Sequence, residues 1–172
     1  MKTLKYLMVI AVILTSAKAD AQSSTSTINS ILNNYLAVKK ALVNSNVQSA
    51  NSNAASLVKN VADIVSIKLN TNEKKAWTAC GEKLRTNAQH ISESKSIDHQ
   101  REHFAALSDA MYSLLKTFKT HPTVYRQYCP MKKEYWLSDS KKIENPYYGN
   151  QMLDCGKVTE TLTANASAEM LN

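Results

Sequence analysis

The chain has 172 residues, 44% of them apolar, with three glycines, three prolines and a formal net charge of +7. That length and apolar content support one domain with a core of its own, and so few glycines and prolines exclude a turn-rich all-β chain. The lysines stand in scattered pairs, such as Lys39 with Lys40 and Lys132 with Lys133, not in one stripe, which argues against nucleic acid as a partner.

Lys2 and Lys5, then the apolar Leu7 to Leu14, then Ala19, Asp20 and Ala21 stand in the order of a secretory signal peptide. Its apolar core of about ten residues is too short for a bilayer, which takes ~20. Cleavage after Ala21 is expected to release a periplasmic or secreted protein, and no later stretch is apolar enough to span a membrane. Removal of residues 1–21 takes three lysines and one aspartate with it, leaving a weakly basic chain of net charge +5.

Residues 22–27 are polar and unpatterned, a flexible N-terminus with Thr27 as the N-cap of the first helix. That helix is expected over 28–44, where Ile28, Ile31, Leu32, Tyr35, Leu36 and Leu42 recur at steps of three and four and Lys39 adds its stem. Val47, Ala50, Ala54, Leu57, Val61 and Ile64 mark a second over 47–67. Trp77, Cys80, Leu84, Ala88 and Ile91 mark a third over 72–92, where Gly81 would let another helix cross. Ser96 caps a fourth, with Asp98 in its first turn and Arg101, Phe104, Ser108, Met111, Leu115 and Phe118 along its apolar face. After it the chain turns β-branched and aromatic over 124–128, 135–137 and 158–163, with a turn signature at Asn145, Pro146, Tyr147, Tyr148 and Gly149. The expected fold is mainly α: a four-helix up-down bundle with a small irregular C-terminal β/loop segment, one domain over 28–163 and a flexible tail over 164–172.

The chain has no His-Glu-x-x-His helix, Gly-x-Ser-x-Gly elbow, glycine-rich phosphate loop or Cys-x-x-Cys motif, so it is not expected to be an enzyme. Its chemistry gathers in residues 121–156. Cys129 and Met131 are two apart, so in an extended strand both face one way; Met152 and Cys155 are three apart, within one turn. Thiolates and thioethers suit a soft ion such as copper(I). In an oxidising compartment Cys129 and Cys155 could equally pair as a disulfide, the methionines merely packing on aromatics. Cys80, on an apolar helix stripe, reads as a small buried hydrophobe. His99 and His103 share a helix face at metal-binding spacing but lie in a charged stretch where solvation is the ordinary state; His103, beside Phe104, is the better candidate for a further ligand. His121 reads as a helix C-terminal charge and His90 has no motif around it. Trp136 and the tyrosines read as packing.

Gln100, Arg101, Phe104, Leu107 and Ser108, then Tyr128, Cys129, Pro130 and Met131, then Trp136, Leu137 and Ser138, then Ile143, Asn145, Pro146, Tyr147, Gly149, Met152, Cys155 and Gly156 together resemble an exported domain of unknown function found mainly in Bacteroidota. The resemblance covers nearly the whole mature chain and departs from the family pattern at Lys132, where a small residue is usual. In that family the domain stands alone or is attached to membrane-fusion subunits of heavy-metal efflux pumps. The resemblance therefore implies copper or related soft-metal handling, heavy-metal resistance and efflux components as partners. The reading favoured is an exported copper(I) carrier, buffer or sensor with Cys129, Met131, Met152, Cys155 and His103 as ligands; the alternative is a disulfide-stapled envelope interaction module without metal.

Overall fold

The computed structural model describes residues 24–64 and 67–164; the expected signal peptide and most of the expected tail lie outside them. Four helices come in order: α1 over 24–43, α2 over Val47–Asp63, α3 over Thr71–Glu93 and α4 over Ile97–Thr117. Three of the starts have a chemical cause in a cap. The Asn46 side chain accepts from the Ser49 N–H to open α2, and Ser96 accepts from the His99 N–H to open α4. Asn70, two residues before the expected start, opens α3 through a capping box in which Glu73 reaches back to the Asn70 N–H.

Residues 24–27 correct the expectation of a flexible N-terminus capped at Thr27. They are already helical and Ser24 is buried. Serine and threonine cost a helix only a few tenths of a kcal/mol each, and burial of Ile28 and Ile31 immediately afterwards outweighs that. α2 ends at Asp63 with Ile64 as its cap, short of the expected 67; residues 65 and 66 lie outside the described set. The space beside Gly81 is taken by a side chain of its own helix: a Cβ there would stand 2.7 Å from the indole of Trp77, one turn earlier in α3.

The C-terminal segment forms a three-stranded antiparallel sheet in the order β2-β1-β3, with β1 Val124–Cys129, β2 Glu134–Ser138 and β3 Lys157–Leu162. The β1–β2 hairpin closes through residues 130–133, where Lys133 takes φ 61°. β3 pairs Lys157 with Tyr128 on the other edge of β1, which brings the residues preceding β3 against the end of β1.

The sheet is fastened to the helices by buried polar links. Tyr35 of α1 stacks on Phe104 of α4, and its hydroxyl accepts the Leu137 N–H of β2 at 2.9 Å. That hydroxyl lies 2.8 Å from Ser108 Oγ, which itself donates to the Phe104 carbonyl, so Tyr35 is the donor to Ser108. Burial holds the Tyr35 phenol above its ordinary pKa, against the pull of those hydrogen bonds, so it remains a donor. Gln100, wholly buried, donates from one amide nitrogen to the carbonyls of Val47 and Ile91 and so joins three helices. Lys39 gives the core more than its stem: it is 4% exposed, and its ammonium meets Glu144 at 3.2 Å. Elsewhere on the sheet the Arg126 guanidinium lies 3.9 Å from the ring centres of both Tyr112 and Tyr135, tying β1 to α4.

Candidate metal centre

Two structural devices bring Cys129 and Cys155 together. Cys129 is the last residue of the central strand, wholly buried. Cys155 arrives on the loop before β3, and Asn145 sets that loop's path. The Asn145 amide donates to the Cys155 carbonyl at 2.7 Å, its side-chain oxygen accepts the Tyr147 N–H, and its backbone N–H donates to the Leu153 carbonyl. Asn145 is itself wholly buried, so these bonds have little competition from water. Gly149 completes the turn at φ +55°, where a Cβ would stand 2.8 Å from both an Arg101 nitrogen and the Val43 carbonyl; the site needs glycine for conformation and for room. Gly156, next to Cys155, leaves space for the edge of Trp136.

The result is a pair of thiols with Sγ atoms 3.5 Å apart. A backbone N–H of the 130–133 turn points at the pair: Lys132 donates to Cys129 Sγ at 3.4 Å. The Cys155 pKa is pushed up, first by its hydrogen bond with Cys129 and then by burial, with the Met131 backbone pulling the other way. A cation between the sulfurs would remove the cause of that upward push. Two thiolates on one tetrahedral ion, with bonds of about 2.3 Å, stand ~3.8 Å apart, so the observed separation is within a few tenths of an ångström of that arrangement.

The methionines are placed differently from the expectation. β1 ends at Cys129, so Met131 lies in the hairpin turn and does not share a strand face with Cys129. It is 64% exposed, and Met152 is 40% exposed. The expected one-turn relation of Met152 to Cys155 is present: the Cys155 N–H donates to the Met152 carbonyl. Both methionines thus lie at the surface, on the two loops next in sequence to the thiols. Trp136 is fully buried, T-shaped against Tyr147, and its indole N–H has no partner among the described residues; it packs beside the sulfur loop as core.

The other sulfur and the histidines stand apart from this pair. Cys80 is buried and donates to the Ala76 carbonyl at 2.8 Å; burial pushes its thiol up to about 11, against a smaller pull from Lys83. Thiolate is the reactive form and must also be reached by the reagent, so buried Cys80 is slower to react than half-buried Cys155. Iodoacetamide at pH 8 should therefore label Cys155 well before Cys80 in folded protein, read by peptide mass spectrometry; Cys80 labelled as fast as in denatured chain would refute this. His121 is buried with its two ring nitrogens near the carbonyl oxygens of Pro122 and Leu115, so it does meet the end of α4.

His103 lies on the side of α4 that faces α3, hydrogen-bonded to Asn87 at 2.9 Å and stacked on His90 with ring centres 4.3 Å apart. His99 completes the group, its ring centre 4.6 Å from that of His103. All the neighbours described for His103 come from α3 and α4, none from the sulfur loops. Burial, then the neighbouring His90 and His99, hold the His103 imidazole below its ordinary pKa, with Glu102 opposing. His90 carries no sequence motif, but the sequence does hold a signal for it: His90 and His99 are nearly equally far from the Ser94 to Ser96 turn, so an α3–α4 hairpin must set them side by side.

Residues 31–123, more than half of the chain, match the family model described as protein of unknown function (DUF3347), and the chain belongs to that family. The match takes in most of α1 and all of α2, α3 and α4, and stops before β1; it is thus narrower than the resemblance read from the sequence, whose motifs from Tyr128 to Gly156 lie beyond it. Comparison with curated proteins and with solved structures gives no match.

Proposed function

We propose that this member of the DUF3347 family is an exported protein that binds copper(I), as a carrier, buffer or sensor in metal handling, with the Cys129–Cys155 pair at the centre of its site. The observation that carries this reading is the 3.5 Å sulfur pair, with the Lys132 backbone N–H donating to one of its sulfurs. Sulfur donors suit Cu(I), and the exposed thioethers of Met131 and Met152 would add soft donors from either loop. Partners would be heavy-metal efflux components, which the sequence resemblance suggests. Among the described residues no helix is long and apolar enough to cross a membrane, which accords with a mature chain that works outside the bilayer. The leader reading is tested by intact mass after export, where retention of residues 1–21 would refute it.

Reduced protein should compete with a chromogenic chelator for one equivalent of Cu(I). Failure to compete would end the metal reading. The same 3.5 Å approach favours one other state, a Cys129–Cys155 disulfide, since a bond of about 2.05 Å needs only a modest closure of the two loops. A thiol count on denatured, anaerobically purified protein separates them: three free thiols accord with the metal site, one with the staple.

A further inference from the structure

We infer that His90, His99 and His103 form a second, independent metal site, on the α3–α4 hairpin, for a divalent first-row transition ion, with Cu(II) bound tightest. One ring nitrogen from each of the three lies within 4.8 Å of the others. Three bonds of 2.0–2.1 Å around one ion require nitrogens about 3.3 Å apart, so the cluster must close by roughly 1.5 Å. Side-chain rotation supplies this without moving the backbone: His90 and His99 are exposed and can turn, and the near-parallel rings of His90 and His103, 6° apart in plane, fan inwards by rotation about their ring torsions.

The support around His103 has the form a metal-bound imidazole requires. Asn87 Nδ2 donates to the Lys83 carbonyl at 2.8 Å, which fixes the amide so that its oxygen faces His103. An amide oxygen only accepts, so His103 Nδ1 carries the hydrogen and Nε2 presents a lone pair. This is the outer partner that orients a histidine ligand and sets its tautomer. His99 and His103 are four apart, on one face of α4, and His90 comes from the facing helix, so the donors belong to rigid elements. His99 has a carboxylate neighbour in Glu102, 3.8 Å away, which adds negative potential beside the cluster. Imidazole nitrogen without thiolate selects borderline divalent ions over Cu(I), and the order of stabilities places Cu(II) above Ni(II) and Zn(II). The two sites therefore differ in ligand softness and in the oxidation state of copper they prefer.

The test uses full mature chain without a histidine tag, carrying Cys129→Ser and Cys155→Ser so that no thiol pair reduces or captures the probe. Cu(II) should bind at one equivalent and give an electron paramagnetic resonance spectrum with coupling to several nitrogens. His99→Ala and His90→Ala should each weaken binding by more than about 100-fold, and Asn87→Ala by about 10-fold, in the range for loss of an outer partner. Because His90 and His99 are exposed, circular dichroism should show these variants folded. No nitrogen-coupled Cu(II) at one equivalent, or histidine variants that bind like their parent, would overturn the site. Either result leaves the Cu(I) reading of the sulfur pair standing, since that is measured on the wild-type thiols.

Discussion

Cys129→Ser and Cys155→Ser should each weaken Cu(I) binding by more than about 100-fold, beyond the 10–100-fold that attends loss of a supporting group. Each removes one of two charge-bearing soft donors, and a serine hydroxyl is a hard ligand that stays neutral at pH 7. The exposed thioethers carry less: Met131→Leu and Met152→Leu should cost up to about 10-fold and relax the preference for soft ions. Asn145→Ala separates placement from ligation. It touches no sulfur, yet it frees the Cys155 carbonyl and the Tyr147 N–H, so the affinity should fall 10–100-fold while all three thiols remain. His103→Ala should leave Cu(I) affinity unchanged, because His103 sits between α3 and α4. Competition titration reads every one of these variants. Serine variants that bind like wild type would sink the sulfur site outright.

Arg101→Ala should destabilise the fold by about 2–4 kcal/mol, the largest single loss expected outside the apolar core. Arg101 is 8% exposed and donates to the Pro146 carbonyl at 2.9 Å, the Leu42 carbonyl at 3.2 Å and Ser45 Oγ at 3.1 Å. The anion beside it, Asp98 at 3.8 Å, is on the surface. Burial therefore lowers the guanidinium pKa more than Asp98 raises it, though arginine stays charged. Truncation leaves the Pro146 carbonyl without its donor, takes one of two donors from the Leu42 carbonyl, which still accepts the Ser45 N–H, and opens a space beside Gly149. For a domain of this size each kcal/mol moves Tm by ~2–4 °C, so a fall of about 10 °C is expected by calorimetry. Arg101→Lys should fall between, retaining charge but not the fork that reaches two carbonyls. A Tm within about 2 °C of wild type for the alanine variant, less than 1 kcal/mol on that scale, would mean that the clasp contributes nothing.

The helices are legible in the sequence because their period is. Ile28, Ile31, Leu32 and Tyr35 in α1, and Leu84, Ala88 and Ile91 in α3, are all buried at the spacings read from the sequence. The three strands are legible from their β-branched and aromatic runs. What escapes a reading of the sequence is polar and long-range. Lys39 reads as a stem on a helix face until Glu144, 105 positions later, is known to meet its ammonium. Met131 is misplaced by its spacing because two residues share a strand face only if the strand continues, and here a turn begins at Pro130. The Cys129 and Cys155 pairing is suggested by chemistry alone and rests in space on Asn145, whose motif reads only as a turn. His90 is missed because helix spacing relates residues on one helix and is silent about the helix opposite.

The clasp at Arg101 has a consequence for where the folding unit ends. Its three partners lie at the end of α1, in the α1–α2 connection and in the loop before β3, and Tyr35 reaches likewise into β2. A chain cut at residue 123 would keep every helix, but Phe104 would lose Tyr147 from its surroundings, the Tyr35 hydroxyl would lose the Leu137 N–H, and Lys39 would lose Glu144. The span matched by the family model therefore shares buried contacts with the sulfur-bearing sheet, and the two are expected to unfold in one transition. Opening the loop that carries Cys155 means undoing contacts that hold α1 to α4, so an occupied thiol pair would report on the integrity of the whole molecule and not only on its own corner of it.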